Sequence, residues 1–129
     1  MNKSLDFDAV IIGGGACGLM CAVQAGFLGK KVLILEKNVK VGAKILISGG
    51  GRCNYANLYA SDTDFISQNP HFCKSAFSQF SVQDTINFFE AYGIYGHEKA
   101  LGQLFPASNN AKDIVQIFEN LCLEMGQEI

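Results

Sequence analysis

The sequence lacks any basic run longer than Lys30-Lys31, and 10 Lys and Arg against 12 Asp and Glu leave a formal net charge of -2. With a pI near 5.6, it has no electrostatic footprint of the kind nucleic acids or anionic membranes select. The expected partners therefore exclude both, although a nucleotide held by backbone amides needs no such patch. No apolar stretch approaches the length of a membrane span. An export signal is also missing: the apolar run at residues 9–12 is preceded by Asp6 and Asp8, where a secretory leader carries positive charge. The five cysteines, Cys17, Cys21, Cys53, Cys73 and Cys122, are odd in number and irregular in spacing. There is no CxxC pair, and His71 and His97 complete no zinc pattern, so no metal site is expected. Reduced thiols in a cytoplasmic protein are the simplest reading. Internal repeats and low-complexity segments are absent too.

What is present is 49% hydrophobic content in 129 residues, enough for one domain with a core. Residues 7–12 (FDAVII) read as a short strand buried on both faces. Residues 16–28 follow a helical pattern that Gly29 closes, and residues 31–35 (KVLIL) form a second apolar strand ended by Glu36. Strand, helix, strand is a βαβ unit with parallel strands, the start of an α/β Rossmann-like fold. Residues 39–57 look like loop. Ser81 with Asp84 predicts a helix start, with Val82, Ile86, Phe89 and Tyr92 on one face and Gly93 as the stop. Residues 103–105 suggest a short strand. Asn110 caps a last helix with Asp113 in its first turn and an apolar stripe of Ile114, Ile117, Phe118, Leu121 and Met125, closed by Gly126. The aromatics of residues 65–95 are expected in the core. No third parallel strand is evident. The sheet is thus expected to be incomplete at the C-terminus, the chain being the N-terminal part of something longer.

The segment Gly13-Gly14-Gly15-Ala16-Cys17-Gly18 matches GxGxxG directly after a strand and at the opening of a helix, with Glu36 at the end of the next strand. Gly13 permits the tight turn, Gly15 the close approach of a pyrophosphate to the helix N-terminus, and Gly18 close helix–sheet packing. Glu36 would accept from a ribose hydroxyl and repel a 2′-phosphate, which disfavours NADP. A ligand-free glycine turn would explain the glycines but not the whole arrangement. FAD and NAD share the ADP half that this unit reads.

A second string, Lys44-Ile45-Leu46-Ile47-Ser48-Gly49-Gly50-Gly51-Arg52-Cys53-Asn54, sets several glycine amides beside a guanidinium near the carboxyl edge of the sheet. An ordinary hairpin segment is the alternative. Arg52 and the amides could lower the Cys53 pKa towards a thiolate, making it a weak catalytic candidate; a small buried residue fixing the loop is the preferred role. Cys17 and Cys21, four apart on the first helix, are expected to pack. Lys44 is placed equally well on the cofactor or in solvent, and His71 and His97 at the surface.

With GGGACG, LILEK and KILISGGGRCN, joined by FFEAYGI and GQLFPASNNAKDIV further on, the chain resembles a family of bacterial flavoproteins. These are the BaiN-like, or aminoacetone oxidase, NAD(P)/FAD-dependent oxidoreductases. The resemblance runs almost end to end, but family members are considerably longer, and this chain matches their N-terminal portion. It implies FAD, with the ADP half on Gly13, Gly15, Gly18 and Glu36 and the remainder near Lys44 and residues 49–54. The candidate cofactor-binding set is Gly13, Gly15, Ala16, Gly18, Glu36, Lys37, Lys44, Gly49, Gly50, Gly51, Arg52, Cys53 and Asn54. Two positions depart from the family pattern: Ala56 stands where a hydroxyl residue is usual, and Ala43 where a basic residue is common. The expected organisation is one FAD-binding domain over residues 1–129: an ADP unit (1–37), a flavin-side loop (38–57) and a helical and short-strand extension (58–129). The expected function is the FAD-binding part of an oxidoreductase acting on a small organic substrate or using NAD(P)H. A flavoprotein acting on RNA is the alternative, since tRNA-modifying enzymes share a similar opening, but the lack of basic clustering counts against it. A non-enzymatic truncated nucleotide-binding module is the third reading.

Overall fold

The computed structural model describes residues 6–129, so the first five residues of the expected 1–37 unit lie outside it. Strand β1 (Ala9–Ile12), helix α1 (Ala16–Phe27) and strand β2 (Val32–Leu35) form the anticipated βαβ unit, with β1 and β2 parallel in register from Ala9↔Val32 to Ile12↔Leu35. Helix α1 stops where glycine allows it to. Gly29 has φ +70 and donates to the Gly26 carbonyl at 2.9 Å, while the Lys30 amide reaches back to the Ala25 carbonyl at 2.9 Å. Leu19, Ala22 and Val23 on α1 are buried in one core with Val32 and Ile34. Each of the larger side chains there contributes about 1.5–3 kcal/mol by leaving water.

Strand β1 is not buried on both faces as its composition suggested. Val10 is 53% and Ile12 80% exposed, whereas Val32 and Ile34 are at 0% and 1%. Side chains alternate along a strand; helices cover the Val32–Ile34 face, and no described residue covers the face of Val10, Ile12 and Leu35.

The last helix in the chain returns to this unit and lies against α1. Asn110 caps it, its side chain accepting from the Lys112 amide at 3.1 Å, and it buries Ile114, Val115, Phe118, Leu121 and Cys122. Beyond it, the Glu128 amide donates to the Val32 carbonyl at 3.0 Å and the Ile34 amide to the Glu128 carbonyl at 2.8 Å. This is a parallel bridge, Leu33↔Glu128. Glu128 is thus a second parallel partner for β2 besides β1, where the sequence showed no sign of a third strand, because three residues after a helix carry no periodicity to read. The buried Gln127 extends the ladder with its side chain, accepting from the Val32 amide at 2.6 Å and donating to the Lys30 carbonyl at 2.9 Å.

Residues 38–110 lie between β2 and that helix. They comprise α2 (Ala43–Ile47), a 3-10 turn (Ser48–Gly50), β3 (Ala56–Asn57), a second 3-10 turn (Asp62–Asp64), α3 (Lys74–Gln79), α4 (Val82–Ala91), β4 (Gly96–Glu98) and β5 (Gln103–Pro106). The last helix, α5, is Ala111–Glu124. The three short strands make a separate antiparallel sheet in the order β3-β5-β4. Helix α2 interrupts what looked like loop; its five residues are too few for a helical pattern to register. Helix α4 starts as expected: Ser81 Oγ accepts from the Asp84 amide at 3.2 Å, and Asp84 Oδ2 accepts from the Ser81 amide at 2.7 Å. Of the aromatics expected in the core, Phe89 is buried and Phe88 and Tyr92 pack beside it, but Phe65, Phe72, Phe80 and Tyr95 are exposed.

Candidate cofactor site

The first glycine loop turns on Gly13, at φ +101, whose amide donates to the Leu35 carbonyl at 2.8 Å. A Cβ on Gly18 would run into the Gly13 carbonyl oxygen, so this glycine is what lets α1 start so close to β1. Gly15 caps α1 with no side-chain bond, no acidic residue follows in the first turn, and a Cβ on Gly15 would meet nothing within 4 Å. The amides of Ala16, Cys17 and Gly18 have no acceptor among the described residues. The helix thus presents bare N–H groups and the positive end of its dipole to an open space, a setting that favours an anion.

Glu36 closes the loop from the other side. Its Oε1 accepts from the backbone and side-chain nitrogens of Asn38 at 2.8 and 2.7 Å, and its Oε2 from the Gly14 amide at 2.8 Å. These donors, the Asn38 amide foremost, hold the carboxyl below the usual glutamate range and keep it ionised. The Gly42 amide donates to the Gly14 carbonyl at 2.7 Å, which clasps the loop to the start of α2. Oε2 retains acceptor capacity towards the open side.

Two adjoining hollows flank this clasp. One, about 450 Å³, is lined by Ile12, Gly13, Gly14, Gly15, Ala16, Leu35, Glu36, Lys37, Asn38, Ala43, Lys44 and Ile45. The other, about 330 Å³, is lined by Ala16, Met20, Lys44, Ile45, Ser48, Cys53, Asn54, Tyr55, Thr85, Phe89, Ile114 and Phe118. They share Ala16, Lys44 and Ile45. Both are lined mostly by apolar atoms, but free amides and a carboxylate border the first, and the aromatic rings of Tyr55, Phe89 and Phe118 border only the second. An elongated molecule with a nucleotide at one end and a flat apolar ring at the other matches that sequence of surroundings.

Of the anticipated residues, Gly13, Gly15, Ala16, Glu36 and Lys37 line the first hollow, Cys53 and Asn54 the second, and Lys44 stands at their junction. Gly18 lies behind the loop as a packing residue. Gly49, Gly50, Gly51 and Arg52 line neither hollow. The anticipated set omitted Asn38, and in the apolar hollow Met20, Tyr55, Thr85, Phe89, Ile114 and Phe118. The helical periodicity of α4 and α5 marks three of these as core but does not show which hollow they border.

The second glycine string is built differently from what its composition suggested. Gly49, Gly50 and Gly51 are consecutively left-handed at φ 56, 69 and 83, and Cys53 follows at φ 61. The Ser48 carbonyl takes the amides of both Gly51 and Cys53 at 3.0 Å, and the Gly51 carbonyl takes the Ala111 amide at 2.9 Å. Arg52 Nε donates to the Gly49 carbonyl at 3.0 Å, and its guanidinium lies 5.1 Å from the centre of the Phe105 ring. Cys53 is buried, and burial pushes its thiol up, which suits the preferred role of a small buried residue fixing the loop and not the weaker alternative of a thiolate activated by Arg52. The Asn54 amide, with its nitrogen towards β5, donates to the carbonyls of Leu104 at 3.1 Å and Ala56 at 2.9 Å. Cys17 and Cys21, expected to pack, are both exposed, because α1 buries its opposite face. His71 and His97 are exposed as anticipated.

Residues 7–129 match the profile of the HI0933-like protein Rossmann domain. The chain is similar to the ribosomal RNA dihydrouridine synthase of Escherichia coli, 49% identical over 116 residues that cover 90% of this chain and 29% of that protein. The enzyme of the same name from Haemophilus influenzae is 45% identical over 122 residues, 95% of this chain and 30% of that protein. The 3-dehydro-bile acid delta(4,6)-reductase of Clostridium scindens is 32% identical over 111 residues, 84% of this chain and 27% of its own length. The chain thus spans about three-tenths of the length of these relatives. Thermovibrio ammonificans THI4 shares the fold, with a TM-score of 0.61 at 14% identity over 95% of this chain and 37% of that chain. These findings correct one expectation. Nucleic acid was excluded as a partner on net charge and the lack of a basic run, yet two of the relatives are named for an activity on ribosomal RNA. Charge summed over 129 residues does not describe the surface of proteins more than three times as long.

Proposed function

The chain belongs to the HI0933-like Rossmann-domain family of FAD-binding oxidoreductases, its cofactor is FAD, and from that premise we propose that it is the cofactor-holding part of an enzyme that reduces uridine in ribosomal RNA. The observation that carries the substrate class is the 49% identity to a ribosomal RNA dihydrouridine synthase, against 32% to a reductase of a small molecule. The site chemistry is compatible with this. The bare amides of Ala16, Cys17 and Gly18 take the pyrophosphate of FAD. Glu36, kept ionised by its loop donors, accepts from the adenosine ribose and repels a 2′-phosphate. Lys44 stands where the two hollows meet, within reach of phosphate or ring oxygens. The hollow bordered by Ile45, Cys53, Tyr55 and Phe89 receives the ring end and keeps water from it. Bound FAD supplies hydride transfer, drawing on a nicotinamide donor such as NAD(P)H. Gly13 and Gly18 set the loop shape, and Gly49, Gly50 and Gly51 set the turn that presents Cys53 and Asn54. A ribosomal RNA substrate supports a cytoplasmic site of action; separately, among the described residues no helix is long and apolar enough to cross a membrane.

The test is made on the protein expressed from its complete reading frame and on a strain deleted for the gene. The protein is expected to purify yellow with one FAD, and dihydrouridine is expected to disappear from the ribosomal RNA nucleosides of the deletion strain and return on complementation. Unchanged dihydrouridine in that strain, together with reduction of an unsaturated small ketone by the purified protein, would replace the RNA reading with the one favoured by the bile-acid reductase relative.

A further inference from the structure

The guanidinium of Arg52 turns away from both hollows and joins a group of side chains that the sequence keeps far apart. His97 on β4 is directly opposite Phe105 on β5, with ring centres 6.2 Å apart. Residues opposite one another in an antiparallel pair share a face, and so do residues two apart. The strand direction therefore carries Lys99 to the same side, where its ammonium lies 5.9 Å from the centre of the Phe105 ring. The Arg52 guanidinium is 5.1 Å from that centre. Phe105 itself is only 3% exposed beneath these groups. Glu98, between His97 and Lys99, points to the other face and accepts from the Gly102 amide at 2.9 Å. Neither Arg52 nor Lys99 has a carboxylate partner among the described residues, whereas Lys30, Lys31 and Lys74 do.

The way Arg52 is held matters most. Its Nε donates to the Gly49 carbonyl and its guanidinium carbon lies over the Phe105 ring, 5.1 Å from the centre, while its two terminal amino groups have no protein acceptor among the described residues. A guanidinium fixed in this way has already lost much of its rotational freedom and presents a forked pair of donors outward, the geometry that grips phosphate oxygens. Phe105 contributes cation–π attraction to both charges and is too covered to stack on a base. Arg52 is the residue immediately before Cys53, which borders the apolar hollow.

Resting on the RNA reading above, we propose that Arg52, His97 and Lys99, gathered around Phe105, hold the sugar–phosphate backbone of the RNA substrate beside the cofactor site. The contact is with phosphate and carries no base specificity, so it positions the strand and leaves selection of the uridine to other groups. A phosphodiester is favoured over an acidic polypeptide because the fixed arginine fork matches phosphate and Arg52 directly precedes Cys53 and Asn54, which border the apolar hollow.

The experiment measures binding of protein-free ribosomal RNA from a gene-deletion strain to the protein from its complete reading frame, over a series of salt concentrations. Lys99→Glu, at an exposed position, and the double change Arg52→Gln with Lys99→Gln are compared with wild type, and flavin absorbance is recorded for each. Both variants should bind RNA severalfold more weakly. The double variant should lower the log–log salt slope by about one for each cation removed. FAD content should be unchanged. Wild-type RNA binding with an unaltered slope in both variants would overturn the proposal. So would loss of FAD from the Arg52→Gln combination while Lys99→Glu binds RNA normally, which would return Arg52 to the cofactor. Binding of polyglutamate as tightly as RNA would overturn it in favour of an acidic protein partner. A wild-type protein that binds no ribosomal RNA, from a gene whose deletion leaves dihydrouridine intact, would instead remove the functional reading on which the proposal rests.

Discussion

The two glycine-rich segments of this chain have nearly the same composition and are put to opposite uses. In the first, only Gly13 is left-handed; Gly15 is extended, and the amides that follow it point into open space. In the second, Gly49, Gly50 and Gly51 are all left-handed, and the turn closes on the carbonyl of Ser48 and on α5. Glycine serves access for a ligand in one case and a sharp left-handed path in the other. The first loop leaves amides free, as the proposed binding element requires, whereas the second is a bracket that fixes Cys53, Asn54 and Arg52.

Substitutions can sharpen that contrast. The largest loss of stability is expected from Gly18→Ala, because the new methyl meets a backbone carbonyl that cannot swing aside. A cost of about 3 kcal/mol, with loss of FAD, should appear in urea unfolding and flavin absorbance of the full chain. Next come two neighbours in the second segment. At Gly49 a Cβ would stand 2.7 Å from the Phe105 ring and 3.0 Å from the Asn54 nitrogen, whereas at Gly50 it would meet nothing within 4 Å. Both positions carry the left-handed penalty, so Gly50→Ala should cost about 1 kcal/mol and Gly49→Ala about 2–3 kcal/mol. Equal midpoints in urea would show that the bracket does not rest on Phe105. The smallest effect on folding belongs to Gly15→Ala, whose backbone is extended and whose Cβ is unobstructed; less than about 1 kcal/mol is expected. Its FAD content should nonetheless fall, since the methyl occupies the approach to the helix amides. A Gly15→Ala protein that keeps full FAD would break the assignment of the first loop as the binding element.

Much of the fold was legible because it is written in local patterns. The run of residues 31–35, the Ser81–Asp84 capping box and the stripe through Ile114, Phe118 and Leu121 each lie within one element, where backbone geometry alone sets the spacing. Helix α2 and the bridge at Glu128 were not legible, being too short for a period. Burial of β1 was overestimated for a related reason. An apolar strand declares that it can be covered on both faces, but only the partners that reach it decide whether it is. At the site, the GxGxxG loop and Glu36 could be read because each position has its own mechanical task. The direction in which the Cys53 thiol is shifted could not, since the burial that raises it comes from residues distant in sequence.

The sequence by itself determined the βαβ unit, the capped helices and a glycine loop closed by an acidic residue, because each depends on neighbours within a few turns or strands. Only the tertiary structure decided which way Arg52 points and that His97 and Lys99 meet it over Phe105. Cations dispersed along a chain of net charge -2 read as no patch at all. Antiparallel pairing of β4 with β5, and a left-handed glycine turn, bring them to one face, and electrostatic attraction depends on distance in space alone.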